Sequence, residues 1–473
     1  MIFTSGAFLL FYLLVFGAYW LLRGREAQNW LLLLASQVFY AWWDWRFLGL
    51  MWLVIAICHA AVLLIEARWR PRLVLAAAIV LLLGVLSVFK YLDFLAGSLA
   101  ALAEAVGVHL SWPALAIILP VGISFFVFEA ICYVVDVYRR DLAADRKLLH
   151  TALYISFFPK MMAGPIIRAS DFLPQLARPR APTARDLQVG LKLFAVGFIY
   201  KAVFSDNVSP FVDGVFADVR GHDNHSLVMA TVGFYAQIYF DFCGYSLMAI
   251  GVARTLGFHL PRNFNFPYIA ASITDFWRRW HISLSTWLRD YLYIPLGGNR
   301  DGDLKRERNL MLTMLLGGLW HGASWNFVLW GGLHGAALVM HKRMSGLLHG
   351  VGRGAVAAVA WAAAGWALTQ LFVLLAWIPF RAQGFGDSLQ VFAAFTGLRP
   401  DQGLARAAIP YLAVILPVLL DTLALGMQSE RRWLKAAPLR LPAWAVGLCL
   451  GAVLALLVML MPMEVNNFIY FQF

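Results

Sequence analysis

The chain has 473 residues, of which 61% are hydrophobic and only 14% charged. Its mean hydropathy is +0.71, and a soluble domain carries roughly 25% charged residues, so a water-soluble enzyme is excluded. The net charge of +12 is spread over short loops between apolar runs, a topology signal and not a nucleic-acid footprint.

A membrane span needs about 20 apolar residues. That ruler predicts an all-α, polytopic protein of about 11 transmembrane helices in one domain, 1–473. The spans fall near 5–22, 29–43, 47–66, 73–89, 115–135, 190–205, 226–256, 310–331, 356–379, 409–428 and 441–462. The first run lacks a basic leader and a cleavage site, so it is expected to stay as a helix. Trp20, Trp30, Tyr40, Trp42, Trp43 and Trp45 fit an interfacial belt. Arginine clusters at 68–72, 139–146, 178–185, 300–308 and 431–432 are expected in the cytoplasm. A few of them are candidates for holding an anionic donor such as coenzyme A.

Two apolar pieces, near 93–107 and 151–167, are too short to cross. The second contains Pro159, Gly164 and Pro165 and reads either as a structural hairpin or as a re-entrant loop lining a funnel. Between about 257 and 309 the chain is too polar to span and too aromatic for a free loop. Short helices at the membrane surface, forming a cavity wall, are expected there. The stretch 274–291, taken as one helix, puts Asp275, Arg278, Arg279 and Ile282 near one face and Trp277, His281, Leu284 and Leu288 near another. Asp241, in Tyr239-Phe240-Asp241-Phe242, reads as a polar clamp across helices. Asp206 and Asn207 read as a span end or a buried pair with Lys201.

The four cysteines, Cys58, Cys132, Cys243 and Cys449, lie in apolar segments without a C-x-x-C pair and are expected as buried free thiols. No metal-ligand spacing occurs among the 11 histidines. His321 and His334, 13 residues apart, stand about 220° apart around one helix and share no face. His334, among Gly331, Gly332 and Gly335, fits close helix packing.

His321 is the most informative residue. It follows the apolar run Met311–Trp320 and precedes Phe327–Trp330. An ionisable side chain at that depth is costly and marks a functional site by default. Imidazole is also suited to moving protons near neutral pH. His281 stands forty positions earlier.

Trp320-His321-Gly322 and Trp280-His281-Ile282-Ser283 together resemble the membrane-bound O-acyltransferase family. Leu119-Pro120-Val121-Gly122-Ile123-Ser124, Ala163-Gly164-Pro165-Ile166, Asp241-Phe242-Cys243-Gly244-Tyr245-Ser246 and Tyr293-Ile294-Pro295-Leu296-Gly297-Gly298 extend the likeness over nearly the whole chain. It is greatest to the bacterial branch of alginate-acetylating and teichoic-acid-alanylating proteins. The ending Phe468–Phe473 is similar to that of the alginate members. Glu129 departs from the branch, where an uncharged polar residue is expected.

The resemblance implies tilted helices around a central funnel in the bacterial inner membrane. It implies acetyl-CoA as donor from the cytoplasm, with no further cofactor and no metal, and an exported polysaccharide, with alginate the leading candidate, acetylated through a periplasmic partner protein. His321 would be the general base, and His281 would orient the acceptor or stabilise charge. Trp280, Arg278, Arg289, Ser283, Asp241, Trp325 and Asn326 are candidates for substrate or donor contact. Asn326 reaches the site only if its helix kinks. D-alanyl transfer from a carrier protein, and a transporter without chemistry, are the alternatives.

Overall fold

The computed structural model describes residues 1–110, 117–162, 164–300, 302–347, 355–400, 418–419 and 469. Every element among them is helical. In chain order they are α1 (Gly6–Leu21), α2 (Arg25–Asp44), α3 (Leu48–Glu66), α4 (Pro71–Lys90), α5 (Leu92–Ala105), α6 (Ile123–Arg139), α7 (Leu148–Ser156), α8 (Phe158–Met161), α9 (Ala169–Ala177), α10 (Ala184–Phe198), α11 (Asp206–Ala217), α12 (Asn224–Thr255), α13 (Ile273–Arg279), α14 (Ile282–Leu288), α15 (Asp303–His321), α16 (Trp325–Leu347), α17 (Ala355–Arg381) and α18 (Phe385–Thr396).

Local chemistry sets many of these boundaries. Ser5, Thr183 and Asp223 accept hydrogen bonds from Phe8, Asp186 and Ser226 N–H and so cap α1, α10 and α12. Pro71 opens α4, where its missing N–H costs nothing. The described residues hold five helical stretches long and apolar enough to cross a membrane: Arg25–Glu66, Pro71–Lys90, Ala184–Ala217, Asn224–Thr255 and Ala357–Arg381. Gly6–Leu21 is apolar but shorter. The expected spans 409–428 and 441–462 lie outside the described residues, save 418–419, so a total of eleven is not established.

The burial pattern inverts that of a soluble protein. Leu9, Leu10, Leu13 and Leu14 of α1 are exposed, as are Val80, Leu81 and Leu83 of α4. Glu129, Lys160, Lys201, Asp206 and Asp241 are buried. Apolar side chains facing outward suit lipid, and polar groups must be satisfied within the protein.

The 32-residue α12 is the central pillar. It meets α10 at two glycine crossings. A Cβ on Gly197 would stand 2.4 Å from Gly244 O, and one on Gly251 would stand 2.6 Å from Gly190 O. Small residues let membrane helices approach this closely. A π-helical turn, Ile199–Ser205, follows α10 and carries Lys201. The Lys201 ammonium bridges Asp206 Oδ1 (2.6 Å) and Asp241 Oδ1 (2.7 Å). Asp241 Oδ2 also accepts from Ile469 N–H at 2.7 Å, which ties Ile469 to the pillar.

Three sequence expectations need correction. The run 310–331 is not one span: α15 stops at His321 and α16 starts at Trp325. The stretch 274–291 is not one helix: it breaks at Trp280-His281 and ends in a π-turn, Arg289–Tyr293. The two-face assignment across that break therefore fails. The geometry that set His321 and His334 on opposite faces fails too, because the break folds α16 back along α15. Both imidazoles then flank Trp330, at 5.0 and 4.7 Å between ring centroids.

Candidate active site

Two helix ends build the site. α15 terminates at His321 because Gly322 turns extended (φ −160°, ψ 151°) and a Cβ there would strike the Phe327 ring at 2.0 Å. One turn earlier, a Cβ on Gly318 would meet Phe327 O at 2.2 Å, and one on Gly331 would meet Met314 O at 2.2 Å. Glycine at these positions lets α16 press against α15 and presents His321 at the corner.

His281 sits at the other end, between α13 and α14, with φ 40° and ψ 56°. This left-handed conformation is uncommon for a non-glycine residue and costs of order 1–3 kcal/mol. Asn263 holds the turn. Its carbonyl accepts from Ile282 N–H (2.8 Å), and its Oδ1 accepts from the Ser283 hydroxyl (2.6 Å). Strained residues held this firmly cluster at functional sites.

The two imidazoles face each other, with centroids 6.3 Å apart and planes at 54°. Trp320 (5.0 Å), Trp330 (5.0 Å) and Phe380 (5.3 Å) surround the His321 ring. Phe242 meets His281 edge-on at 4.7 Å, and neither ring nitrogen of His281 has a hydrogen-bond partner among the described residues. Buried polar atoms normally find partners, so an exception needs an explanation.

A cavity of about 440 Å³ opens beside His321. Its described lining includes His321, Trp320, Lys90, Ser124, Phe125 and Met162, but not His281. A smaller cavity of about 120 Å³ lies between Cys132, Ile166, Arg168, Arg262, Ser283 and Tyr291. Ser124 and Cys132 both belong to α6, eight residues or roughly 12 Å apart. The two cavities are therefore stacked along α6, the smaller one toward Arg139. Between them lies a septum of Phe128 stacked on Trp287 at 3.7 Å and a buried Glu129–Lys160 ion pair.

Glu129 thus has a structural account. Its carboxylate holds Lys160 and also accepts from Ile167 N–H (3.4 Å), while Tyr154 OH donates to Ile167 O at 2.9 Å. These contacts fix the short helices and extended chain around 157–168 as a shared wall of both cavities. Sequence reasoning singled out Glu129 as a departure without finding its partner. A lysine flanked by prolines in an otherwise apolar segment was the available signal.

The other candidates divide clearly. Trp280 is fully buried against Phe276, Phe264, Tyr239 and Trp377 and positions His281 from behind. The Ser283 hydroxyl accepts from Ile166 N–H at 3.0 Å, so it ties the wall around 157–168 to α14. Asp241 is engaged by Lys201 and Ile469, away from the histidine pair. Asn326 donates to Ala382 O at 2.9 Å and joins α16 to the end of α17. Trp325 is 62% exposed, with its indole N–H on Ser98. Arg278 is exposed on α13, and Arg289 pairs with its neighbour Asp290 at 2.7 Å. None of these reaches the histidine pair as one contiguous cluster. Cys58, Cys132 and Cys243 are buried free thiols, and Cys449 lies outside the described residues.

The sequence model of the membrane-bound O-acyltransferase family matches residues 139–378, just over half of the chain and containing both histidines. The chain belongs to that family. A probable alginate O-acetylase of Azotobacter vinelandii is 42% identical over 403 residues, covering 83% of this chain and 78% of the relative. A peptidoglycan O-acetyltransferase of Helicobacter pylori is 35% identical over 396 residues, covering 78% and 73%. A teichoic acid D-alanyltransferase of Bacillus subtilis is 29% identical over 231 residues, covering 47% and 58%. The protein is a multi-pass membrane O-acyltransferase.

Proposed function

We propose that the protein acetylates an exported polysaccharide, with alginate the leading candidate, from acetyl-CoA at the bacterial inner membrane. The observation that carries this is His321: an imidazole on a cavity wall, 6.3 Å from a second histidine held in strained backbone. The identities support acetyl over D-alanyl transfer, since the acetyl-transferring relatives match most of the chain and the D-alanyl relative matches 47% of it.

In the proposed reaction, His321 takes the proton of an acceptor hydroxyl as that oxygen attacks the thioester carbon. A C–O bond forms and the C–S bond breaks. The thiolate of coenzyme A leaves and regains a proton from His321. The Trp320, Trp330 and Phe380 rings keep water from the thioester. His281 sits behind Trp320 (6.0 Å), outside the cavity lining, so it acts on His321 and on charge in the site more than on the acceptor directly. The arginine-bearing side, with Arg168 and Arg262, suits the donor's phosphates, and its thioester reaches His321 by displacing the Phe128–Trp287 septum. The acceptor side is the larger cavity. By this reading the acetyl group passes to a periplasmic protein that completes sugar acetylation.

The test is acetyl-ester analysis of exopolysaccharide from a deletion strain complemented with the native protein or His321→Ala. Normal polymer yield without acetyl groups is expected. Acetylation retained by a folded His321→Ala protein removes the catalytic assignment. Yield and acetylation falling together favours transport. For the relay, radiolabelled acetyl-CoA is given to purified protein with and without periplasmic extract. Label reaching polymer without extract overturns the relay.

A further inference from the structure

Lys90 ends α4 on the wall of the larger cavity. Its ammonium donates to Trp320 O (2.6 Å) and His321 O (3.0 Å), and the neighbouring Tyr91 hydroxyl donates to Leu319 O (3.0 Å). These carbonyls belong to the last turn of α15 and have no partner within their own helix. The ammonium also lies 5.9 Å from the centre of the Trp320 ring, a π face and not a counter-ion; capping alone does not need the charge, because a neutral amide caps carbonyls as well.

The charge is conspicuous by comparison. Lys160 is paired with Glu129, and Lys201 with Asp206 and Asp241. Lys90 makes no ion pair among the described residues. A cation removed from water without a counter-ion is costly. An ammonium carries three protons, and the two carbonyls use two. Lys90 also lines both the 440 Å³ cavity and a neighbouring one of about 160 Å³. Of the described residues around the larger cavity, Lys90, the Met1 amino group and His321 carry the titratable nitrogens, and Lys90 is the one that also holds the His321 carbonyl.

We propose that Lys90 stabilises the oxyanion of the acyl transfer. When the acceptor oxygen bonds to the thioester carbon and His321 takes its proton, the carbonyl π electrons move to oxygen. That oxygen meets the third N–H of Lys90. When the C=O bond re-forms, the C–S bond breaks and the thiolate leaves with the proton from His321. Because Lys90 also holds the His321 carbonyl, base and oxyanion donor are fixed to one helix end. The inference rests on His321 being the base.

The experiment uses membranes from complemented cells, given radiolabelled acetyl-CoA and periplasmic extract, with initial rate, apparent donor KM and thermal unfolding measured. Lys90→Gln keeps a capping donor and loses the charge. It is expected to lower the rate by about 10²–10³-fold, the usual loss for one oxyanion donor, with donor KM within about threefold and unfolding as in the native protein. Lys90→Arg is expected to be at least about tenfold faster than Lys90→Gln. A Gln variant keeping more than about a tenth of the native rate overturns the proposal, as does an Arg variant no faster than Gln. If neither variant unfolds like the native protein, Lys90 is a structural cap and the proposal falls. An inactive His321→Ala beside a fully active Lys90→Gln refutes only this inference. An active His321→Ala refutes the function reading itself.

Discussion

The α10–α12 pillar and the α13–α16 wall both bury polar side chains, but they treat them in opposite ways. In the pillar, Lys201 lies between two aspartates and Asp241 also accepts a backbone N–H. In the wall, His281 has two ring nitrogens without described partners, and Lys90, which reaches the wall from the end of α4, has two carbonyls and no carboxylate among the described residues. Matched charges in a dry interior specify one packing arrangement. Unmatched polar groups carry a cost that the surrounding packing must meet.

This contrast can be broken by substitution. Lys201→Met leaves two buried carboxylates without their cation, and losing one partner of a buried pair costs about 3–5 kcal/mol. Lower yield and earlier unfolding in detergent are expected, with specific activity per folded molecule near native. A stable but inactive protein would move the triad into the chemistry. His321→Ala should do the reverse, with a rate loss of about 10²–10⁴-fold from removal of a general base and little change in unfolding. Gly331→Val drives a side chain into Met314 O and pushes α16 from α15. A cost of about 1–3 kcal/mol from overpacking, together with lost acetylation, is expected, since the corner carrying His321 moves. Native activity in Gly331→Val would mean that the helix corner does not set the base.

Smaller effects sharpen the division. His281→Asn keeps a residue that tolerates the left-handed conformation and removes the imidazole. Stability within about 1 kcal/mol of native and a clear fall in rate are expected; an unchanged rate would return His281 to a structural role. Arg289→Ala is the mildest. Its pair with Asp290 is exposed and worth at most about 1 kcal/mol. If the guanidinium meets the donor phosphates, apparent donor KM rises more than kcat falls. Equal KM leaves Arg289 as a surface anchor.

Composition and period were enough for the membrane class, for most described spans and for the prominence of His321, because a 20-residue apolar run and a buried imidazole are local facts. The breaks were not legible. Gly322 looked like one more small residue in an apolar run until Phe327 was found against it. His281 looked helical because its left-handed turn is held by Asn263, eighteen residues earlier, and not by its neighbours. Ser283 and Asn326 looked available for ligand because their partners, Ile166 and Ala382, lie in distant segments, whereas Asp241, also read as a clamp across helices, does hold Lys201.

What the chain of residues determined alone was its solvent, its chemistry class by likeness, and one titratable group at membrane depth. Hydrophobic length and side-chain type are carried by each segment independently of its neighbours. The tertiary structure alone decided that His321 and His281 meet, that Glu129 answers Lys160 and that Lys90 has no counter-ion among the described residues. Each depends on which helix ends come together, and those contacts join residues that are 31 to 231 positions apart.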